Sequence, residues 1–391
     1  MRRFVLRFLA RAASHLPGPI ARRLRATAWA AMLREISRER PLARPPRAGG
    51  LRPVICLPTW SRWEVMKQRP HYLMEAFATA GHPVYFVDPG ITEPRWEDGV
   101  RLVPGVTDVP AKDVILYVHF APLVQLVQDF DHPVVIYDIY DDLSIFQADE
   151  DNVPVSRRVA THHGLLMDSA AAVLVSSATL AARHREERPA LLIVENGVDL
   201  QMFSSRSDRP EDLPAAEGPV IGYHGMVSYW FDFELLVAVA RRKPEWTFVL
   251  VGPVDPRVAV EVKALGTCAN ILRLGEKPSS QIAAYVQHFD IGAIWFKVNG
   301  LTRAVNPLKM YECMAAGVPV VAPPLPACVA MPGVRVADDA DAFAACIEAA
   351  LAAAPGEADA LRAAARGYSW QERITPLINW LDQHDLRRVP G

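Results

Sequence analysis

A short segment in the second half of the chain combines a helix start with basic side chains. Asn306 and Pro307 favour the N-cap and the first position of a helix, respectively, so they predict that a helix begins here. The amides of Leu308 and Lys309 would then face the preceding loop, which also carries Arg303. A helix N-terminus beside cations binds anions such as a diphosphate, so the predicted chemistry is recognition of phosphate oxygens.

Glu312 follows Lys309 by three residues, which places both on one face of the predicted helix. Its carboxylate could accept two hydrogen bonds from a vicinal diol, such as O2 and O3 of a ribose. The alternative is an ordinary solvated glutamate paired with Lys309. Beside a diphosphate site, the diol interpretation predicts that the ligand is a nucleotide.

The elements that would position these residues alternate regularly from Arg52 onward, with short apolar runs between helical patterns. Apolar runs without internal alternation predict strands covered on both faces, as in a parallel sheet. The same alternation of strands and helices begins again after the polar segment 204–218. We therefore predict an α/β chain with two Rossmann-like domains that face a central cleft. The predicted strands are 54–57, 84–87, 114–118, 134–137, 173–175, 191–194, 220–223, 247–251, 271–274, 291–295 and 318–322.

Four segments result from this division. They are a basic N-terminal helical arm and linker at 1–50, a first domain at 51–205, a second domain at 206–369, and a C-terminal helix at 370–391 that could cross back to the first domain. With 391 residues, of which 51% are hydrophobic, both domains can bury a core, which excludes a small disulfide-stapled fold. The five cysteines contain no CxxC pair, and this favours a cytoplasmic location.

The charge is unevenly distributed, although the net charge is only −2. The first 47 residues contain 12 arginines and two glutamates, so the remainder is acidic and does not favour a nucleic-acid partner. On a helix, Arg3, Arg7 and Arg11 would lie opposite apolar residues. This predicts peripheral binding to an anionic membrane surface at the inner face of the cell membrane. Packing of the arm on the body or on a partner, and disorder of the arm, are the alternatives.

Three segments together resemble the GT-B glycosyltransferases, in particular those similar to glycosyltransferase family 4. Residues 306–322 resemble the donor-binding helix and the strand after it. Asn196-Gly-Val-Asp199 with Phe203 resembles the segment that closes the first domain, and residues 270–296 resemble the strand, loop and helix that bind the base. The resemblance covers about residues 54–385 and is specific only when the segments are taken together.

The resemblance implies a nucleotide-sugar donor, linked to UDP or GDP, that serves as substrate without a separate cofactor. The domain at 206–369 would bind this donor, and the domain at 51–205 would bind the acceptor. Glu312 would hold the donor ribose, and the amides near Leu308 would bind the diphosphate. Gly275 and Lys277 would border the nucleobase. His119, at the end of its strand, would contact the donor sugar, with a purely structural histidine as the alternative.

One departure from the family concerns a second glutamate, which often lies eight residues before the first and is Ala304 in this chain. In retaining members the leaving diphosphate is thought to act as base, so the protein must stabilise that diphosphate and place the acceptor. Arg303, Lys309 and Lys297 are the candidate cations, and Gly225 would lie beside the phosphates. The loop 58–63 also lacks the glycine pair common in relatives, which puts its donor contact in doubt.

Two polar clusters in the first half resemble those of bacterial polysaccharide-type transferases. The first runs from Trp63 to His71 and contains Gln68 and Arg69, and the second is Tyr137-Asp-Ile-Tyr-Asp-Asp142; both are predicted at strand ends. Asp141 and Asp142 could orient an acceptor hydroxyl or act as base. Capping of a helix by Asp142 is the alternative.

No required metal is predicted. The Asp-x-Asp triplets at 129–131 and 339–341 are interpreted as turn and helix-capping residues. His162 and His163 are adjacent, which does not suit two ligands on one helix face.

Together with the predicted diphosphate and ribose contacts, the resemblance implies a retaining, metal-independent glycosyltransferase of the hexosyltransferase type. Its acceptor would be a glycan or a lipid-linked sugar in surface polysaccharide or glycolipid biosynthesis. A non-hydrolysing sugar-nucleotide epimerase and an inactive sugar-nucleotide-binding or scaffold protein are the alternatives.

Overall fold

The computed structural model describes residues 47–58, 63, 67–142, 153–215, 217–329, 331–353 and 356–390, without the side chains of 153–158. The predicted basic arm up to residue 46 and most of the loop 58–63 lie outside the described residues. The predicted membrane contact of the arm therefore stays a prediction.

Two compact units divide the chain. One runs to Val194 and resumes at Ile374, and the other comprises Glu195–Arg373. The division falls earlier than the predicted boundary after residue 205. The reason is that Val198 and Phe203 are buried in the core of the second unit, where Gln287 Nε2 also donates to the Phe203 carbonyl at 3.1 Å.

Residues beyond Arg373 belong to the first unit. Arg387 Nη2 donates to the carbonyl of Ala80 at 3.1 Å, and the amide of Val389 donates to the carbonyl of Gly50 at 2.9 Å. The C-terminal segment thus closes on the beginning of the first unit.

The strands of the first unit are β1 (Val54–Cys56), β2 (Val84–Val87), β3 (Arg95–Glu97), β4 (Val100–Val103), β5 (Ile115–Val118), β6 (Val134–Ile139), β7 (Ala172–Val175) and β8 (Leu192–Ile193). Within the described residues they form one sheet in the order β3-β4-β2-β1-β5-β6-β7-β8. All neighbouring pairs are parallel except β3 with β4.

The strands of the second unit are β9 (Val220–His224), β10 (Thr247–Val251), β11 (Ile271–Gly275), β12 (Ile291–Ala293), β13 (Val320–Ala322) and β14 (Val334–Val336). Their order is β11-β10-β9-β12-β13-β14, and every neighbouring pair in this part of the described chain is parallel. Counted within the unit, this is the 3-2-1-4-5-6 order of the Rossmann fold.

The predicted strands and the α/β class are confirmed, whereas β3, β4 and β14 were missed. The strand β3 reads Arg-Trp-Glu and lies partly exposed at the sheet edge, so it lacks the apolar run of a buried strand. It pairs with β4 through a tight turn in which Asp98 has φ 50° and Gly99 has φ 78°.

Helices cover the faces of both sheets. The α-helices within the described residues are Arg69–Thr79, Val124–Val127, Val153–Ser169, Ala178–His184, Leu200–Ser204, Phe233–Arg242, Ala259–Ala264, Ser279–Val286, Leu308–Ala316, Pro326–Val329, Ala340–Leu351, Glu357–Ala365 and Trp370–Gln383. Asp339 is the N-cap of Ala340–Leu351 and accepts from the amide of Ala342, as the capping interpretation of that triplet predicts. No helix in the described parts of the chain is long and apolar enough to cross a membrane.

A buried ion pair joins the first helix to the first sheet. Arg69 donates to Asp138 through Nε at 2.7 Å and through Nη2 at 3.0 Å, and the hydroxyl of Tyr117 donates to the same carboxylate. Arg69 is 1% exposed and Asp138 is fully buried. Two charges without water are stable only when their geometry and hydrogen bonds compensate for lost hydration. The two polar clusters of the first half therefore support each other.

Replacing Asp138 by alanine tests this compensation. Asp138→Ala leaves the Arg69 guanidinium buried without a counter-charge, so we expect a loss of about 3–5 kcal/mol in the free energy of unfolding. Glu97→Ala is the matched control, because it removes an exposed partner of Arg95 and should cost at most about 1 kcal/mol. Urea unfolding followed by circular dichroism measures both. Equal losses would mean that the buried pair contributes no more than a surface pair.

Candidate functional site

In the second sheet, the loops after the neighbouring strands β9 and β12 begin side by side. From β9 the sheet extends outward through β10 and β11, whereas β12, β13 and β14 lie on the other side of β9. The connections after β9 and β12 therefore leave in opposite directions. Open α/β sheets bind ligands in the crevice at this point, outside the carboxyl ends of the strands.

Two glycines allow the loops after β9 and β10 to approach each other. Gly225 has φ 110° and Gly252 has φ 143°, which are conformations that other residues rarely adopt. A Cβ atom at Gly252 would lie 2.2 Å from the carbonyl oxygen of Gly225. A Cβ atom at Gly225 would lie 3.0 Å from Lys309 Nζ. Because Gly225 has no side chain, the backbone of the loop after β9 lies next to Lys309.

The helix Leu308–Ala316 begins beside this loop, one residue later than predicted. Pro307 is the N-cap, so the prediction that Asn306 caps the helix is wrong. Asn306 instead accepts a hydrogen bond from the Asn196 amide through Oδ1 at 3.3 Å, and its carbonyl accepts from Asn196 Nδ2 at 2.6 Å. The buried asparagine pair fixes the entry into the helix, whose first amides have no intrahelical partner.

Glu312 contacts the last residue of β9 from the second turn of this helix. Its Oε2 lies 2.6 Å from His224 Nε2, and His224 and Glu312 are only 5% and 9% exposed. The other carboxylate oxygen, Oε1, has no hydrogen bond within the described residues. A fixed carboxylate with a free acceptor oxygen is suited to hold a diol.

Lys309 lies between two aromatic rings. Its Nζ is 4.9 Å from the ring centre of Tyr223 and 5.2 Å from that of Phe296. Burial lowers the pKa of Lys309 to about 8, against the opposing charge of Glu312, which raises it. Within the described residues, Lys309 forms no ion pair at salt-bridge distance, so its donors are available to an anion.

The other predicted cations of this unit lie in different surroundings. Lys297 and Arg303 are exposed, and Lys297 Nζ is 3.4 Å from the carbonyl of Tyr229. Lys277 forms an ion pair with Asp212 and lies 5.8 Å from the ring centre of Tyr285. The role predicted for Lys277 at the base would require release from Asp212.

A depression of about 260 Å³ lies at the carboxyl ends of β9, β10 and β11. Gly275 borders it with φ 74°, and its carbonyl accepts from the amide of Gly252 at 2.8 Å. The lining residues are Val227, Leu250, Gly252, Val254, Val262, Arg273 and Gly275. The hollow thus combines apolar side chains with Arg273 at the ends of these strands.

The remaining predicted residues belong to the first unit. His119 follows β5 and is buried, with its ring centre 5.8 Å from that of Tyr117 and neither ring nitrogen hydrogen-bonded within the described residues. Burial lowers the pKa of His119 to about 4, so the ring is neutral at pH 7. Asp142 forms an ion pair with Arg183, while burial raises the pKa of Asp141 to about 7.

His224 is the site residue that the sequence analysis missed. It ends the first strand of the second half and directly precedes Gly225, so its position in the sequence marks a strand end. Its partner Glu312 is 88 residues away, and the sequence offers no sign of that contact.

The second unit is similar in sequence to known glycosyl transferases. Residues 218–353 match the family Glycosyl transferases group 1. Over 135 residues the chain is 36% identical to the putative teichuronic acid biosynthesis glycosyltransferase TuaH of Bacillus subtilis strain 168, and the match covers 34% of each protein. The chain thus aligns with about a third of the length of this curated relative.

Solved structures match over most of the chain. Sucrose-phosphate synthase from Thermosynechococcus elongatus gives a TM-score of 0.67 at 16% identity and covers 85% of this chain and 99% of its own. Anabaena Alr3699/HepE in complex with UDP and glucose gives a TM-score of 0.62 at 14% identity, covering 84% and 100%. The fold is that of the GT-B glycosyltransferases, and the match to the group 1 glycosyl transferases lies within the second unit. Membership of family 4 stays a prediction.

The lowered pKa of Lys309 predicts how UDP affinity depends on pH. A bound diphosphate favours the ammonium form, so the affinity should fall several-fold as the pH rises from about 7.5 to about 9, through the pKa near 8. In Lys309→Arg the cation stays charged over this range, and the decrease attributable to residue 309 should disappear. Titration calorimetry with UDP at several pH values measures both proteins. Identical pH profiles would exclude contact between Lys309 and the phosphates.

Proposed function

We propose that the chain is a glycosyltransferase that moves a sugar from a UDP- or GDP-linked donor to a glycan or lipid-linked acceptor. The observation that carries the proposal is the convergence of Lys309, Glu312 and Gly225 at the strand ends of β9 and β12. A cation, a fixed carboxylate and bare backbone at this point match a diphosphate and a ribose. The named function of the TuaH relative supports the reaction class.

Each donor group has a place in this proposal. Lys309 and the first amides of Leu308–Ala316 bind the diphosphate, and Gly225 lets it approach the loop after β9. Glu312, held by His224, accepts from the ribose hydroxyls. The base occupies the hollow bordered by Gly275, and Arg303 and Lys297 add positive charge near the phosphates.

Transfer then needs no protein nucleophile. The bond between the anomeric carbon and the diphosphate oxygen breaks, a bond from that carbon to the acceptor oxygen forms, and the acceptor proton passes to the diphosphate. The charge left on the diphosphate is stabilised by Lys309 and the helix amides. This course retains the anomeric configuration, does not depend on a metal ion and is compatible with Ala304 in place of a second glutamate.

The acceptor is assigned to the first unit. His119 has a neutral, buried ring at the end of β5 and would contact the donor sugar. Asp141 is ionised above about pH 7 and can orient an acceptor hydroxyl, whereas Asp142 pairs with Arg183. The TuaH relative is named for teichuronic acid biosynthesis, which supports an acceptor in surface polysaccharide synthesis.

A transfer assay with a panel of UDP- and GDP-sugars tests the function. We expect release of the nucleoside diphosphate that depends on an added glycan or lipid-linked acceptor. Glu312→Gln should weaken binding of the same nucleoside diphosphate about tenfold or more, because hydrogen bonds to a charged acceptor contribute about 1.5–3 kcal/mol. Glu261→Gln, at an exposed helix position of the same unit, is the matched control and should bind as the wild type does.

Two results would contradict the proposal. Conversion of the donor sugar without any acceptor would indicate an epimerase. If the Glu312→Gln and Glu261→Gln variants bind the nucleotide with equal affinity, Glu312 does not bind the ribose.

The basic arm is proposed to bring the enzyme to an anionic membrane surface at the inner face of the cell membrane. The pattern of Arg3, Arg7 and Arg11 opposite apolar residues supports this. Deleting residues 1–40 should abolish co-sedimentation with vesicles that contain phosphatidylglycerol, and Arg3, Arg7 and Arg11 changed to glutamate should have the same effect. Unchanged sedimentation of both variants would refute membrane binding through the arm.

A further inference from the structure

A group of metal-ligating side chains lies in the first unit, outside the residues assigned to donor and acceptor. His163 belongs to the helix Val153–Ser169, His184 ends the helix Ala178–His184, and Glu187 follows three residues later. One potential ligand atom from each of these residues lies within 4.8 Å of the other two. The sequence suggested no such group, because only the adjacent pair His162 and His163 was apparent.

The distances between the potential ligand atoms are close to those between ligand atoms around a bound metal ion. Glu187 Oε2 lies 3.0 Å from His163 Nε2 and 3.5 Å from His184 Nδ1. Around a tetrahedral zinc ion with bonds of about 2.0 Å, ligand atoms are about 3.3 Å apart. Small side-chain rotations would bring the three atoms onto one ion. Glu187 lies three residues after His184, in the turn that follows the helix, and this brings the two side chains together.

A buried tyrosine supports His163 as a ligand. The hydroxyl of Tyr137 lies 2.9 Å from His163 Nδ1. Because a hydroxyl both donates and accepts, it can hold the tautomer in which Nδ1 carries the proton and Nε2 is free for a metal.

The segment that carries Glu187 is anchored to the helix that carries His163. Arg188 donates to the carbonyls of Met167 at 2.7 Å and Ala170 at 3.0 Å. The position of Glu187 is thereby fixed, while its side chain remains 52% exposed. The exposed side leaves room for water as a further ligand and for entry of the ion.

We propose that His163, His184 and Glu187 form a binding site for a divalent first-row transition metal ion, with Zn²⁺ as the ion to be tested. Two imidazoles and one carboxylate are a donor set that zinc commonly takes. The ion would connect the helices Val153–Ser169 and Ala178–His184. The proposed transfer reaction does not use it, so the site and the transferase function can be tested separately.

The test uses the full chain without an affinity tag, stripped of metal by a chelator. Titration with Zn²⁺ should show one ion per chain at this site and a higher melting temperature. Glu187→Gln and His184→Gln should each weaken zinc binding at least tenfold. Glu186→Gln changes the neighbouring exposed glutamate in the same way and should bind zinc within twofold of the wild type.

Spectroscopy identifies the ligands. Co²⁺ in place of Zn²⁺ should give visible absorption typical of four or five ligands, and this should be lost in His184→Gln when circular dichroism shows a folded protein. The proposal is overturned if folded wild-type protein binds no zinc, or if Glu187→Gln and His184→Gln bind it as tightly as Glu186→Gln does.

Discussion

The hydrogen bond between His224 and Glu312 connects the two halves of the second sheet at the point where they diverge. His224 ends β9, and Glu312 lies on the helix after β12, so this contact sets the distance from the central strand to the helix start. The contact is buried, and water cannot easily replace either partner. The position of Lys309, one turn before Glu312, and the approach to Gly225 depend on it.

The burial of Lys309 destabilises its ammonium group in the unliganded protein but would strengthen its attraction to an anion. Burial of the ammonium group lowers its pKa, and the rings of Tyr223 and Phe296 compensate only in part. A diphosphate would supply the missing counter-charge in a place where water screens little. The same desolvation that destabilises the unliganded lysine thus strengthens its interaction with an anion.

In the first unit, one carboxylate belongs to a buried ion pair, and a second carboxylate nearby has a raised pKa. Asp138 is surrounded by Arg69 and Tyr117, whose hydrogen bonds keep it within the sheet. Asp141, three residues later, has no such partner among the described residues, and burial together with the charge of Asp138 raises its pKa. A structural ion pair beneath a strand end can therefore adjust the proton affinity of a neighbouring group.

The sequence by itself determined the two mostly parallel sheets, the helix near residue 308 and the choice of Lys309 and Glu312 as candidate site residues. These follow from local features, since apolar runs, helix-start residues and residue spacing act over a few positions. Only the tertiary structure decided that His224 meets Glu312, that Asn306 pairs with Asn196 instead of capping the helix, and that His163 lies beside His184 and Glu187. Those contacts join residues that are distant in the chain, and their geometry depends on strand order and helix packing, which no local pattern specifies.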